Sequence, residues 1–129
     1  MNQFMRIGDL AELAGVTQRT VRYYESIGLL APGKREGHGH HYYTEETLAR
    51  LQKIDQLKRL GLSLEEIGEV IDLYFTDPGG IQPKQKVLAI LRKHLHEAES
   101  KIGELQQFRG ELQANIERFE QFLKEAQRH

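Results

Sequence analysis

Over the last third of the chain, apolar residues recur at alternating steps of three and four: Leu88, Leu91, Leu95, Ala98, Ile102, Leu105, then Leu112, Ile116, Phe119 and Leu123. Only Arg109, beside Phe108, interrupts the series. The surrounding positions are rich in Glu, Lys, Gln and Arg, so the pattern is a narrow seam on a polar helix. A single helix cannot bury such a seam, and about forty helical residues would extend roughly 60 Å, too long to fold back over a small domain. The seam therefore predicts a partner helix of the same kind, and a dimer is the simplest solution. Gly103 and Gly110 lie seven apart, a spacing that fits either a close approach of two backbones or local flexibility.

Composition narrows the class. The chain has 129 residues with 39% apolar content, and its 18 Lys+Arg against 19 Asp+Glu leave a net charge of -1. The charge is unevenly divided: through Leu60, nine basic minus seven acidic residues give +2, and beyond it nine minus twelve give -3. A nucleic-acid surface is expected in the first part. With no cysteine, disulfides, thiolate metal or iron–sulfur sites and cysteine nucleophiles are excluded. The apolar runs are far shorter than the ~20 residues a membrane span needs, and the first residues lack a signal-peptide core, so a cytoplasmic location is expected.

Two short helices are predicted over residues 6 to 27. Ile7, Leu10, Ala11 and Ala14 keep helical spacing up to Gly15, Thr17 is a good N-cap for the next helix, and Gly28 is placed to end it in a left-handed conformation. Ala11, Gly15 and Val21 suit the close-approach, turn and anchor positions of a helix-turn-helix. Thr20, Val21 and Tyr24 then face inward, leaving Gln18, Arg19, Arg22 and Tyr23 outward. Arginine forks onto guanine or phosphate, glutamine pairs with adenine, and tyrosine donates to phosphate. A solvated face on an ordinary helical hairpin is the alternative. The next stretch, APGKREGHGHHYYT, predicts a β-wing carrying Lys34, Arg35, His38, His40, His41 and Tyr42. Its histidines could instead converge on a metal, but no carboxylate or thiolate joins them at convincing spacing, and no metal site is assigned. His94 and His96 sit on different faces of their helix and make no chelating pair.

Thr44 is expected to cap a third helix running to Leu60, buried through Leu48, Leu51, Ile54 and Leu57 and stopped by Gly61. Ser63 and Glu66 form a capping box for a fourth, in which Leu64, Ile67, Val70, Ile71 and Tyr74 keep their spacing up to the Asp77-Pro-Gly-Gly80 break. Pro83 suits the start of the last helix. The expected division is a DNA-binding domain over 1–76, a linker over 77–83 and a dimerisation helix over 84–129.

The ordered string RIGDLAELAGVTQRTVRYYESIGLL, a Gly-rich wing ending in Tyr, and LKRLGLSLEEI closely resembles the MerR family of bacterial transcriptional regulators, over about the first 75 residues. The long helix that follows matches that family by its pattern. The resemblance implies a mostly α fold, a winged helix-turn-helix with a helical second wing, followed by an antiparallel coiled-coil dimer bound to a pseudo-palindromic promoter element. It implies a recognition helix over Gln18 to Ser26 with Thr17, Arg19, Arg22, Tyr23 and Tyr24 at or near DNA, and a second wing using Lys58 and Arg59. Gly39-His40-His41 stands where relatives often carry Gly-Tyr-Arg, which turns a fixed charge into a titratable one. The regulatory act implied is distortion of the operator so that RNA polymerase engages promoter elements separated by an overlong spacer.

Family inducers often bind near the start of the dimerisation helix or in an added C-terminal domain, and no added domain is expected here. What remains is a small organic effector held near Tyr74, Phe75 and the DPGG loop, or plain core at those residues. No cofactor is expected. The competing readings are a coiled-coil interaction module whose helix-turn-helix docks a protein, and a repressor that occludes the promoter. An enzyme has no nucleophile motif or phosphate loop to rest on.

Overall fold

The structure is a computed structural model that describes residues 4–36 and 40–128. Its elements run α1 (Ile7–Ala14), α2 (Gln18–Ser26), β1 (Lys34–Glu36), β2 (His40–Tyr42), α3 (Glu45–Arg59), α4 (Leu64–Val70), α5 (Leu73–Thr76) and α6 (Ile81–Gln127). This is the mostly helical winged helix-turn-helix with a long C-terminal helix that the sequence predicts. The chain divides into two compact units, residues 1–88 and 89–129.

In the first unit the helix-turn-helix is set by local chemistry. Gly15 adopts φ 71°, and the N–H groups of Gly15 and Val16 reach the carbonyls of Glu12 and Ala11 at 3.2 and 2.9 Å, closing α1. Two residues on, the Thr17 hydroxyl accepts the Thr20 N–H at 3.0 Å and opens α2. Gly28, at φ 78°, ends α2 and turns the chain so that Leu29 and Leu30 drop into the core. The core consists of Leu10, Ala11, Val21, Tyr24, Leu29, Leu30, Leu51, Ile54, Leu57, Ile67, Val70 and Ile71, all buried, with α1 packed on both α2 and α3.

The wing is an antiparallel pair in which Lys34 faces Tyr42 and Arg35 faces His41. Met5 extends it by exchanging both backbone hydrogen bonds with Tyr43, at 2.9 and 2.7 Å. A Cβ at Gly33 would sit 2.8 Å from the Tyr43 ring, so the hairpin base closes only over glycine. The expected wing residue His38 lies outside the described residues.

Three expectations are revised. Thr44 occupies the N-cap of α3 but its hydroxyl makes no capping bond; Glu45 and Glu46 in the first turn supply the negative charge that the helix start favours. The fourth helix is not continuous to Asp77. The N–H groups of Tyr74 and Phe75 bond three residues back, to Ile71 and Asp72, which tightens the backbone and separates α4 from α5. The last helix begins at Ile81, three residues before position 84, with Pro83 buried in its first turn. The Ser63–Glu66 capping box forms as expected, at 3.1 and 2.9 Å.

The second unit is the continuation of α6. Among the described residues, no side chain beyond Val87 is buried. Leu95, Ile102, Leu105, Ile116, Phe119 and Leu123 are each more than half exposed, as are the flanking Phe108 and Phe122. Leu88 and Leu112 are only slightly less so, Ala98 is exposed, and Leu91 is half-buried. No helix among the described residues is long and apolar enough to cross a membrane.

Candidate nucleic-acid interface

The amphipathic pattern of α2 resolves into two faces. Val21 and Tyr24 are buried, whereas Gln18, Arg19, Arg22 and Tyr23 are exposed, with Thr17 exposed at the helix start. The capping bond leaves Thr17 Oγ1 committed to the helix, where it also meets the Thr20 hydroxyl at 2.9 Å. Arg19 and Arg22, three apart, share one face of α2. Tyr24 faces inward as its helix position predicts: at 3% exposure its ring belongs to the core, and for the DNA-side position that the resemblance implies it can offer only its hydroxyl, 3.3 Å from Lys58 Nζ.

That hydroxyl ties α3 to α2. Lys58 Nζ donates to it and lies 5.9 Å from the centre of the Tyr24 ring, which holds one cation of α3 beside α2. Arg59 is paired with Asp55 at 2.7 Å on the α3 surface. An exposed pair of this kind contributes only about 0–1 kcal/mol, so a phosphate can readily replace the carboxylate.

On the wing, Lys34, Arg35 and His41 are exposed, and Tyr42 is half-buried with its ring 4.6 Å edge-on from Phe4. His41 Nδ1 lies 3.1 Å from the Gly33 carbonyl, which can only accept, so Nδ1 carries a proton. Its other nitrogen, Nε2, can donate to an anion only when the ring is cationic.

Between the wing and α2 lies an open cleft of about 400 Å3 lined by Arg6, Arg22, Glu25, His40, His41 and Tyr43. The buried Tyr43 hydroxyl donates to the Glu25 carboxylate across it. Burial first, then this bond and the Glu25 charge, push the Tyr43 phenol well above the usual tyrosine range, so it is a fixed proton donor at neutral pH. The bond links the end of β2 to α2 and so sets the wing against the helix.

Sequence reasoning missed Tyr43 and Glu25 in this role, as well as Arg6, Gly33 and Arg50. Arg50 donates from Nε to the Leu29 carbonyl at 2.8 Å and from Nη1 to Asp72 at 2.8 Å, tying the turn after α2 to the break between α4 and α5. The signal for Arg50 was present: a cation one residue before the buried Leu51 on α3 must emerge at the edge of the core. Its partners are 21 and 22 residues away, and no local pattern indicates them.

The two candidate effector residues separate. Phe75, half exposed, lines an open cleft of about 600 Å3 with Glu45, Glu46, Ala49 and Arg50. Tyr74 instead carries Lys53 Nζ over its ring at 4.6 Å, and burial raises its phenol pKa. Among the described residues no three His, Asp or Glu side chains are arranged to hold a metal ion.

Comparison with known proteins agrees with this geometry. The profile of the MerR HTH family regulatory proteins matches residues 5–73, and a second, described as MerR, DNA binding, matches residues 48–114. The chain is 37% identical over 117 residues to an uncharacterised HTH-type transcriptional regulator of Pseudomonas aeruginosa, covering 88% of this chain and 83% of the relative. It is 36% identical over 112 residues to the HTH-type transcriptional regulator CueR of Escherichia coli, covering 85% and 79%. Among solved structures, the transcription regulator PbrR691 from Ralstonia metallidurans, in complex with lead(II), superposes with a TM-score of 0.66 at 32% identity, covering 84% and 81%. The chain belongs to the MerR family of helix-turn-helix regulators and is a DNA-binding transcriptional regulator.

Proposed function

We propose that the protein acts as a homodimer that distorts a pseudo-palindromic promoter operator and so adjusts how RNA polymerase engages the promoter. The observation that carries this reading is the bare seam of α6, where no side chain beyond Val87 is buried among the described residues. Exposing so many large apolar side chains on one helix costs about 25 cal/mol per Å2 relative to burying them, and a second α6 removes that cost. An antiparallel pair places the two helix-turn-helix heads at opposite ends of the coil. The recognition helices are then held at a spacing fixed by the protein, and B-DNA must bend or untwist to meet both.

Arg19, Arg22, Gln18 and Tyr23 are assigned to base edges and phosphates, with Thr17 and the Tyr24 hydroxyl at the margin of that surface. Lys34, Arg35, His41 and Tyr42 grip the flanking backbone from the wing, and Lys58 and Arg59 do so from α3. Because its target would be chromosomal DNA, we read the protein as cytoplasmic. A small organic effector has a place to act in the cleft beside Phe75.

Fluorescence transfer on end-labelled operator tests the mechanism. Saturating protein is expected to shorten the end-to-end distance and unwind central base pairs. A straight, normally twisted duplex under the bound protein would leave simple occlusion as the mechanism. Failure to retard any genomic fragment in a gel shift would instead favour a protein-docking module.

A further inference from the structure

The seam of α6 has two irregular positions, and together they specify how a second copy fits. In heptad terms Leu95, Ile102, Arg109 and Ile116 occupy position a, and Leu91, Ala98, Leu105 and Leu112 occupy position d. Ala98 leaves a hollow on an otherwise bulky face, and Arg109 is the one charge on it. Both are exposed on the free helix.

Parallel pairing in register would set Arg109 against the partner's Arg109 and the Ala98 hollow against another hollow. It would bring like charges into the seam and leave a void. Antiparallel pairing sets a against d, and each knob enters a hole formed by four residues of the facing helix. Four such registers, one heptad apart, overlap most of the two seams. In one, Arg109 enters a hole walled by Leu91 and Arg92 of the partner subunit, where like charges meet. In two others the hole contains Arg109 of the partner subunit, beside the partner's Leu105 or the partner's Leu112, with the same conflict.

The remaining register seats Arg109 over the partner's Ala98, in a hole completed by the partner's Leu95, Glu99 and Ile102. Here the long side chain fills the hollow and its guanidinium meets the Glu99 carboxylate of the partner subunit. The other layers are all large and apolar: Leu91 on the partner's Ile116, Leu95 on the partner's Leu112, and Ile102 on the partner's Leu105.

We infer that Arg109, seated over Ala98 and beside Glu99 of a second copy, fixes the register of an antiparallel dimer with its twofold axis between Gly103 and Glu104. This rests on the dimer reading above and deepens it. Arg109 thus acts as a specificity determinant, because a lone polar residue in an apolar seam stabilises one alignment by making the others unfavourable.

Since the chain has no cysteine, introduced thiols report the register cleanly in the full-length protein. Leu95→Cys combined with Leu112→Cys is expected to give a covalent dimer on mild oxidation. Leu95→Cys alone, Leu88→Cys with Leu112→Cys, and Leu95→Cys with Phe119→Cys are expected to stay unlinked. Arg109→Glu should raise the dimer dissociation constant about tenfold or more, and adding Glu99→Arg should return it to within about threefold of wild type. Linking through a shifted pair or through Leu95→Cys alone, or no recovery in the double charge swap, overturns the register and leaves the dimer reading standing. A wild-type protein that sediments as a monomer at micromolar concentration overturns the dimer reading itself.

Discussion

The two units of this chain use the same kinds of residue to opposite ends. In residues 1–88, leucine and isoleucine on short helices meet one another at zero or near-zero exposure: Leu10, Leu51, Ile54 and Ile67 are sealed by the chain itself. In residues 89–129, leucine and isoleucine recur just as regularly and remain open to water. The difference lies in turns. Glycines at 15, 28 and 61 fold the first unit back on itself, whereas in α6 Gly103 and Gly110 sit inside an unbroken helix with open space around them. Periodicity says which face is apolar, and chain reversal decides whether that face is covered from within.

The sharpest way to break the contrast is to charge the open seam. Leu105→Asp should leave the first unit folded and abolish the dimer, because an unpaired carboxylate would then have to be buried between two helices. Sedimentation at micromolar concentration measures it; a persisting dimer would mean that the seam is not the interface. Next, Leu51→Ala should cost the first unit about 2–5 kcal/mol in urea unfolding, since Leu51 is fully buried. That loss should not depend on protein concentration, unlike any effect of substitutions in the seam.

On the DNA-facing side, Arg19→Ala and Arg22→Ala should keep fold and dimer while weakening operator binding by about 1–3 kcal/mol each. A lost base contact relaxes specificity at one position, and a lost phosphate contact flattens the salt dependence for every sequence. Wild-type affinity in both variants would remove α2 from the interface. Among helix caps, Ser63→Ala should destabilise the first unit by roughly 1 kcal/mol through loss of the capping box, and Thr44→Ala by only a few tenths, because the Thr44 hydroxyl caps nothing.

The smallest effect expected is at alkaline pH. The raised pKa of Tyr43 means the native state keeps a proton that the unfolded chain releases near pH 10. The stability from this group is therefore complete below pH 10 and declines as pH rises above it. Thermal melts from pH 9 to 11 should show a steeper loss for wild type than for Tyr43→Phe, and parallel slopes would mean that burial and the Glu25 bond do not hold the Tyr43 proton in the folded state.

Most of the fold was legible because its cues are local. A capping threonine, a serine–glutamate box, a helix-ending glycine and a Tyr-Tyr pair after a Gly-rich turn each act within a few residues of themselves. What sequence reading missed depends on residues brought from far away. The hydrogen bond from Lys58 to the Tyr24 hydroxyl joins residues 34 apart. Thr44 has the right chemistry and an extended N-cap backbone, yet its hydroxyl makes no capping bond. Tyr43 and Glu25, 18 residues apart, join the wing to the recognition helix, and Arg50 spans three segments.

The sequence by itself determined the helix-turn-helix, the wing, the polarity of α2 and the seam of α6, because hydrophobic spacing and turn chemistry are short-range properties of the covalent chain. Tertiary structure alone decided which outward-looking residues stay outward, how Lys58 is held beside Tyr24, and why the hairpin closes over Gly33. Those outcomes are set by contacts between segments, where a hydrogen bond or an ångström of clearance depends on the packing of the whole unit and is written in no stretch of sequence.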